Sequence, residues 1–366
     1  MGELYALTKK ISAPFNGDVK NVYKNLLPKY GHVIKEIYFP LPSAIASNAR
    51  SNGQATTLEE LALLLDAVSS YEVDSAVVLN SSWMPLEAYT DDYLKRVINA
   101  IGVLYRMGLK KIIIKNNYYM RTNVFRDLFP NLKLESSINC MYDTIPKVIQ
   151  ALEMFRYDSV IIDRSFNNNH VEFTKLKLLL AELNVETKML VNEGCLYDCP
   201  FKQDHDNMLG MCSYGGAMFD KYKQAYVEAN PDNTNPAGNV NYQYGCVSVY
   251  RDEPWKFLKS PFIRPEDVHL YERGVQLIKI AGRTQSNEWI DRVIGAYAAG
   301  SYDGDIRDLT DTGPLDGSFP NKKLDERWEF VAHCNKVCTQ CTRCKTLYEE
   351  INREEDQDVN TVHSLV

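Results

Sequence analysis

The sequence predicts an α/β fold, a TIM-like (β/α)8 barrel. Short β-branched runs alternate with longer amphipathic stretches, which is the pattern of parallel strands joined by helical crossovers. Eight such runs occur, the number that closes one barrel, and 366 residues are enough for one large barrel with extensions. An open, doubly wound sheet is the alternative architecture.

The predicted strands are short runs rich in β-branched and aromatic residues, and they comprise residues 5–11, 34–39, 75–79, 111–115, 132–136, 159–162, 187–191 and 276–280. Helices are predicted between them where apolar residues recur at three- and four-residue spacing, as in residues 57–68, 91–107, 144–155 and 171–183. Strand and helix signals therefore alternate along the first 300 residues.

The connection between the seventh and eighth strands is unusually long. It covers about eighty residues, far above a typical connection, whereas the first six crossovers are short and regular. We therefore predict a barrel over residues 1–300 that carries an insert at residues 192–262. An Asp/Gly-rich run, residues 303–317, predicts a linker at the start of a C-terminal extension, residues 301–366.

Composition limits the function classes. Hydrophobic residues make up 45% and charged residues 24% of the chain, as in soluble globular proteins. The net charge of -7 argues against nucleic acid or an anionic membrane surface as a partner. Without a signal-peptide pattern or a run long enough to span a membrane, we expect a cytoplasmic protein. Nine cysteines in a reducing compartment favour metal ligands over disulfides.

Four of these cysteines fall in the predicted insert: Cys195, Cys199, Cys212 and Cys246. The first two directly follow the seventh predicted strand, and α/β proteins place their chemistry at the carboxyl ends of strands. Cys199 precedes Pro200, a pairing that also occurs beside iron-sulfur ligands. Four thiolates converging from a loop can complete a metal shell, so the insert is predicted to hold a metal centre.

Four further cysteines form a tail group: Cys334, Cys338, Cys341 and Cys344. Four cysteines within eleven residues can wrap one 4Fe-4S cluster, and their spacing reverses the bacterial ferredoxin run. Structural zinc is the alternative, although zinc usually prefers two knuckles separated by a longer loop. The first three also match the C-x3-C-x2-C spacing of radical S-adenosylmethionine enzymes, but those enzymes leave one iron without a protein ligand, whereas Cys344 can occupy it here.

Polar residues follow most of the predicted strands and would form a ring around the barrel mouth: Asn80, Ser81, Asn116, Asn117, Ser137, Asn139, Asp163, Arg164, Asn192, Glu193 and Arg283. We assign catalytic roles to Asp163, Glu193 and Arg164, with the carboxylates moving protons. Amides and guanidinium groups suit a small anionic substrate, so substrate binding is assigned to Asn80, Asn116, Asn139, Arg264 and Arg283. The alternative for Asp163 and Arg164 is a helix cap or a local ion pair.

Four motifs give a further signal: Ile138-Asn-Cys140, Val160-Ile-Ile-Asp-Arg164, Val191-Asn-Glu-Gly-Cys-Leu-Tyr-Asp-Cys-Pro-Phe201 and Ile263-Arg-Pro-Glu-Asp267. At these motifs the chain resembles the collagenase-like peptidase family of undetermined catalytic type, which includes proteins of oxygen-independent ubiquinone hydroxylation and of tRNA uridine hydroxylation. The resemblance covers roughly residues 1–300. It implies a TIM-like barrel whose four insert cysteines bind a 4Fe-4S cluster. The chain departs from those relatives in the closer spacing of its first two cysteines and in its tail group.

The resemblance implies oxygen-independent hydroxylation or related redox or radical chemistry, since relatives with assigned chemistry install hydroxyl groups, with prephenate as the apparent oxygen source. An electron donor such as a ferredoxin or flavodoxin is the expected partner. The alternatives are a radical S-adenosylmethionine-like enzyme and a non-catalytic iron-sulfur electron-transfer protein. A peptidase is a minor alternative, because no G-x-S-x-G or H-E-x-x-H motif is present.

Overall fold

The computed structural model of the protein describes residues 10–50, 56–213, 224–225, 228–229, 236–272, 274–312, 316–324, 328–334 and 336–363. Within these residues, eight parallel strands pair in chain order and the last pairs with the first, which closes a barrel. The predicted TIM-like barrel is confirmed, and the open sheet is wrong because an open sheet would leave its first and last strands unpaired.

The strands are β1 (Ile11–Pro14), β2 (Ile34–Pro40), β3 (Asp74–Leu79), β4 (Lys111–Ile114), β5 (Lys133–Ser136), β6 (Ser159–Ile162), β7 (Glu186–Leu190) and β8 (Leu277–Lys279). Seven of them lie within a residue or two of their predicted bounds. The first strand is the exception, since residues 5–9 of the prediction lie outside the described residues and β1 continues to Pro14. Its polar Ser12 interrupts the apolar pattern, and this residue points into the barrel, where it donates a hydrogen bond to Glu36 at 2.6 Å.

The longer helices are α1 (Leu58–Ser69), α2 (Asp91–Arg106), α3 (Ile145–Phe155), α4 (His170–Glu182), α5 (Lys202–Cys212), α6 (Pro236–Tyr244), α7 (Cys246–Asp252), α8 (Asn287–Ala299) and α9 (Arg343–His363). The predicted helices correspond to α1–α4. Shorter helices are Val19–Asn21, Leu27–Tyr30, Asn117–Arg121, Val124–Leu128, Asn321–Leu324 and Glu329–Ala332, with a π-helix at Val22–Leu26 and 3-10 turns at Leu86–Tyr89, Ile138–Cys140, Arg164–Phe166, Pro254–Lys259, Pro265–Leu270 and Ile306–Leu309. No helix among the described residues is long and apolar enough to cross a membrane.

The barrel interior contains a ring of buried charges near the starts of the strands. Lys188 of β7 lies 2.6 Å from Glu36 of β2 and 2.8 Å from Glu135 of β5, measured from Nζ to the carboxylate oxygens. Lys111 of β4 lies 3.0 Å from each of the same two carboxylates. Two ammonium groups therefore balance two carboxylates, and none of the four residues is more than 4% exposed.

An apolar layer lies one two-residue step further along the strands. It consists of Tyr38, Val78, Ile113, Ile161 and Leu190 together with Ala76 and Ile138. Because side chains alternate between the two faces of a strand, these residues share the inner face with the charged ring. The layer lies between the charged ring and the carboxyl ends of the strands, where the polar residues of the mouth are found.

The segment predicted as a linker is partly buried on the barrel. Ile306, Leu309 and Phe319 have no exposed surface and belong to the main hydrophobic core. The segment is fastened at the mouth by Asn192, whose Nδ2 donates to Leu309 O at 3.2 Å and whose carbonyl accepts from Asp311 N at 3.1 Å. We call residues 306–312 the C-terminal strap.

Candidate functional site

A cavity of about 80 Å³ lies at the carboxyl ends of the strands. We call it the mouth pocket, and its polar lining comprises Tyr38, Arg50, Asn80, Ser137, Asn139, Glu193, Lys202, Asp206, Lys279, Arg283 and Asp311. An engineered protein cavity of roughly 150 Å³ holds one benzene molecule. The mouth pocket therefore accepts a small molecule or the end of a larger one.

Within the part of the chain that the structure describes, Arg283 is the guanidinium of the mouth pocket that lacks a carboxylate partner. Its side chain is 7% exposed, and its Nη1 atom is buried without a hydrogen-bond partner among the described residues. Burial lowers the pKa of Arg283 to about 10, so the group is still a cation at neutral pH. A buried cation that lacks a partner favours an anionic ligand.

Gly282 turns the chain so that Arg283 enters the pocket. Its φ angle is +128°, a region that side chains rarely adopt. A Cβ atom at this position would also overlap the ring of Trp289. Glycine is therefore required here both by the backbone and by packing.

Lys279, the last residue of β8, also lines the pocket and is 6% exposed. Its Nζ lies 3.8 Å from the ring centroid of Tyr38, and no ion pair or hydrogen bond of its ammonium occurs within the described part of the chain. Burial, and next the nearby charge of Lys188, lower the pKa of Lys279 to about 7. A substantial fraction of this amine is therefore neutral at physiological pH.

The other charges of the mouth pocket are paired. Arg50 lies 2.8 Å from Asp311 of the C-terminal strap, and Lys202 pairs with Asp206 on the next turn of α5. Glu193 pairs with Arg164, which lies outside the pocket. Among the described residues, Lys279 and Arg283 thus remain as positive groups without an ion-pair partner.

A second cavity, of about 210 Å³, lies beside the first and contains Asp163, Arg164, Tyr197, Cys199 and Lys202 among its lining residues. We call it the cysteine-side cavity. Asp163 caps the short turn that follows β6, because its Oδ1 accepts a hydrogen bond from Ser165 N at 2.9 Å. Asp163 and Arg164 therefore line this cavity, whereas Asn80, Ser137, Asn139, Glu193 and Arg283 line the mouth pocket.

Arg164 and Glu193 form the boundary between the two cavities. Arg164 Nε and Nη2 donate to the two carboxylate oxygens of Glu193 at 2.5 and 3.2 Å. Burial alone would raise the pKa of Glu193, but the charge and hydrogen bonds of Arg164 lower it to about 2. Both the capping and the ion-pair interpretations of Asp163 and Arg164 thus describe real contacts.

Asn80 and Asn139 lie in the mouth pocket, where Asn139 Nδ2 donates to Asn80 O at 2.9 Å. The other two residues predicted to bind substrate have structural contacts elsewhere. Asn116 caps the short helix after β4, since its Oδ1 accepts from Tyr118 N at 3.0 Å. Arg264 is 4% exposed and is held by both carboxylate oxygens of Asp267, at 2.8 and 3.2 Å.

The insert cysteines are free thiols, and three of them are electrostatic neighbours. Tyr250 lies near all three: burial raises the pKa of its phenol, and the negative charges of Cys195, Cys199 and Cys246 raise it further. The Tyr250 hydroxyl donates a hydrogen bond to Gly194 O at 2.8 Å. Burial raises the pKa of Cys195 to about 12. Backbone N–H groups favour the thiolate at Cys199 and at Cys246, in each case opposing a larger effect of burial. Cys212 ends α5 and is half-buried.

The tail cysteines all line a third cavity, of about 550 Å³, together with Lys259 and Lys336. Cys334 Sγ accepts a hydrogen bond from the backbone N–H of Lys336 at 3.3 Å. Burial raises the pKa of Cys344 to about 11, although the charges of Lys336 and Lys259 oppose this shift. We call this the tail cavity.

Backbone N–H groups that face cysteine sulfurs are typical of cluster and zinc sites, so the donor sets fit a metal centre in their chemistry. As they stand, no three His, Cys, Asp or Glu side chains of the described residues are arranged so that they could hold a metal ion. Both predicted metal centres therefore stay predictions.

Tyr197 lies between the two cysteine groups. It lines the cysteine-side cavity next to Cys199, and the ammonium of Lys336 lies 5.5 Å from its ring centroid. Burial, together with the charges of Asp198 and Cys338, raises the pKa of Tyr197 to about 12. The insert and the tail group are thus neighbours in space although their nearest members are separated by 88 residues in the sequence.

Sequence reasoning missed several residues of the mouth pocket. Lys279 carried a usable signal, because a charged residue interrupts the apolar run Leu277-Ile-Lys-Ile280 at an inward-facing position. Arg50, Asp206 and Asp311 carried none, since they reach the pocket from loops and from a helix far apart in the sequence.

Comparisons with known proteins give two informative similarities, and no protein-family model matches the chain. The Uncharacterized protease MJ1657 from Methanocaldococcus jannaschii is 28% identical over 320 residues, which cover 86% of this chain and 88% of that protein. The structure of the U32 peptidase Mk0906 matches 77% of this chain and 96% of that chain with a TM-score of 0.51 and 12% identity, which shows a shared fold. The chain is thus similar in sequence to an uncharacterized protease and in fold to a U32 peptidase, and both similarities support the resemblance to the collagenase-like peptidases.

Proposed function

We propose that the protein is an enzyme that binds a small anionic substrate at the barrel mouth and transforms it by iron-sulfur chemistry, as in oxygen-independent hydroxylation. The anionic substrate is inferred from two cations of the mouth pocket, Lys279 and Arg283, which have no ion-pair partner among the described residues. A substrate carboxylate would provide the missing partner for the buried guanidinium.

The remaining lining groups fit this role. The amides of Asn80 and Asn139 can orient a polar substrate, since each offers both a donor and an acceptor. Arg164 and Glu193 hold each other rigidly, so together they form a fixed wall rather than a mobile clamp. The pocket is small enough to exclude most solvent when a ligand is bound.

The proposed cluster ligands are Cys195, Cys199, Cys212 and Cys246. A bound 4Fe-4S cluster would supply electrons, or a Lewis-acidic iron if one position stays open. Support comes from the backbone N–H donors at Cys199 and Cys246 and from the resemblance. The tail group is proposed to hold a second, auxiliary centre, and the contact between Lys336 and Tyr197 supports a position close to the insert cysteines. Zinc is the alternative metal for that group, and a ferredoxin or flavodoxin is the proposed electron donor.

The first experiment is anaerobic purification followed by iron, sulfide and zinc analysis. Two 4Fe-4S clusters predict about eight iron and about eight sulfide per chain. Stoichiometric zinc without sulfide would overturn the iron-sulfur part of the proposal. The anion site is tested separately by calorimetry with small carboxylates: Arg283→Gln should weaken binding about 10- to 100-fold, as for a lost charged hydrogen bond, while the exposed Arg353→Gln should not.

A peptidase is the second candidate, and the named relative is the observation that favours it. Cys140, the cysteine outside both groups, does not suit a nucleophile, because burial raises its pKa to about 11 and its thiol lies 3.5 Å from Ile114 O as a hydrogen-bond donor. The discriminating test is digestion of a peptide library, read by mass spectrometry. Cleavage that depends on mouth-pocket residues and persists in protein without iron would favour the peptidase.

A further inference from the structure

We propose that Lys279 is a nucleophile that forms an imine with the carbonyl group of a 2-oxo acid whose carboxylate binds Arg283. This inference rests on the proposed anion site and adds the class of substrate. Lys279, which was not among the polar residues predicted at the strand ends, thereby receives a covalent role.

The first support is the contrast among the three lysines inside the barrel. Lys111 and Lys188 are buried and each contacts both Glu36 and Glu135 within about 3 Å. Lys279 is equally buried, but its ammonium lies over the ring of Tyr38 with no carboxylate within ion-pair distance among the described residues. A buried lysine without a counter-ion lowers the stability of the folded protein. In enzymes such lysines serve as bases or as nucleophiles that form Schiff bases.

The second support is the position of the amine. Lys279 pairs with Leu190 of β7 in the sheet, one step beyond the level of Lys188, and so stands at the carboxyl end of the barrel. It lines the same small pocket as Arg283, and both cations approach the same ring, at 3.8 and 6.0 Å from the centroid of Tyr38. A 2-oxo acid offers a partner to both groups, because its carboxylate can bind the guanidinium and its adjacent carbonyl carbon can be attacked by the amine.

The third support is the protonation state. Imine formation requires the neutral amine, and burial with the charge of Lys188 lowers the pKa of Lys279 to about 7. The amine nitrogen attacks the carbonyl carbon, and the carbonyl oxygen leaves as water with the two hydrogens of the amine. A C=N bond replaces the C=O bond, so neither an oxidant nor a reductant is required.

The experiment is borohydride trapping. The full-length protein is incubated at pH 7 with pyruvate or 2-oxoglutarate, reduced with sodium borohydride and analysed by intact and peptide mass spectrometry. The expected result is one adduct per chain, located on the peptide that contains Lys279. Lys279→Arg, which keeps the charge, and Lys279→Met should both lose the adduct while they keep the melting temperature to within a few degrees or raise it.

Two controls separate this inference from the anion site. Lactate carries the carboxylate but no ketone, so it should bind by calorimetry, leave no adduct and slow trapping by pyruvate. Arg283→Gln should reduce the rate of trapping at least tenfold without moving the site of the adduct. If lactate and pyruvate bind but no adduct forms, or if the adduct is spread over surface lysines and persists in Lys279→Met, the inference is wrong and the anion site stands. If neither acid binds and no adduct forms, the anion site itself is wrong.

Discussion

Arg164 and Glu193 face different cavities and join them through a two-point ion pair, with nitrogen-to-oxygen distances of 2.5 and 3.2 Å. Arg164 is directed towards the cysteine-side cavity and Glu193 towards the mouth pocket. The pair therefore connects the wall of the cavity beside the insert cysteines with the wall of the mouth pocket. Because Glu193 stays ionised at neutral pH, its contribution is to hold Arg164 and the pocket wall in place.

The pH dependence of stability should report this pair. The folded-state pKa of Glu193 lies near 2 and its ordinary value near 4.5, so its stabilising contribution is complete above pH 4.5 and is lost as the pH falls towards 2. A shift of this size corresponds to about 3 kcal/mol. Glu193→Gln should lower the free energy of unfolding at pH 7, and its difference from the parent protein should shrink between pH 5 and pH 2. A difference that is constant over this range in urea titrations would contradict the assignment.

The charged ring inside the barrel predicts a large cost for removing one lysine. Lys188→Met leaves Glu36 and Glu135 with Lys111 alone, and an uncompensated buried charge typically costs about 3–5 kcal/mol. The matched control is Lys29→Met, since Lys29 pairs with Asp291 on the surface and should cost less than about 1 kcal/mol. If both substitutions lowered the free energy of unfolding in urea equally, the buried lysines and carboxylates of the ring would not stabilise one another more than a surface ion pair does.

Lys279→Met should change the free energy of unfolding in the opposite direction to Lys188→Met. The pKa of Lys279 is lowered to about 7 in the folded protein, whereas its ordinary value is 10.5. Between these pH values the unfolded chain binds a proton that the folded protein does not, so Lys279 lowers the free energy of unfolding, and this loss grows as the pH falls from 10.5 to 7. Replacing Lys279 should therefore raise the free energy of unfolding at pH 7 by about 0.5–2 kcal/mol, the common range for a stabilising substitution. Destabilisation at pH 7 would argue that the contact with Tyr38 is structural.

Gly282→Ala should damage both the fold and the pocket. The alanine would carry backbone strain of about 1–3 kcal/mol and would also overlap Trp289. Gly108→Ala is the control, because Gly108 also has a positive φ, +99°, but has no atom within 4 Å of the added Cβ. We expect the larger loss of stability at Gly282, accompanied by weaker carboxylate binding. Equal losses would mean that packing against Trp289 does not matter.

Cysteine substitutions should separate the two proposed metal centres. Cys246→Ala should remove the insert cluster and activity, and Cys338→Ala should remove only the tail centre, so each variant should lose about four of about eight iron atoms. The double variant should contain none. If Cys338→Ala abolished substrate turnover while Cys246→Ala left it intact, the roles of the two groups would be reversed.

The sequence predicted the barrel well because strand and helix periodicities are local signals. The bounds of β6 match the prediction, and the other strands from β2 onwards differ by at most a residue or two. The position of Asn80, Asn139 and Arg283 at the mouth also follows from local information, since each lies close behind a predicted strand. Arg264 has no such position, and its contact with Asp267 is the local ion pair of an Arg-Pro-Glu-Asp turn.

The division of the ring into two cavities could not be predicted. It depends on the ion pair between Arg164 and Glu193, which joins side chains from two strand ends. The closing of the mouth by Asp311 is equally non-local, because this residue is separated from its partner Arg50 by 261 positions. The Asp/Gly-rich composition of residues 303–317 predicts a linker, because such runs usually form exposed connections. The burial of Ile306 and Leu309 in the structure shows that part of this segment is packed on the barrel.

The C-terminal strap has a consequence for how the protein is made. Asn192 is fully buried and needs Leu309 and Asp311 to complete its hydrogen bonds, and Arg50 needs Asp311 as its counter-ion. Domains form from the N-terminus during synthesis, yet a nascent chain that ends before residue 306 cannot complete this mouth. The mouth pocket is therefore completed only after residues 306–312 have been synthesised and have packed against the barrel.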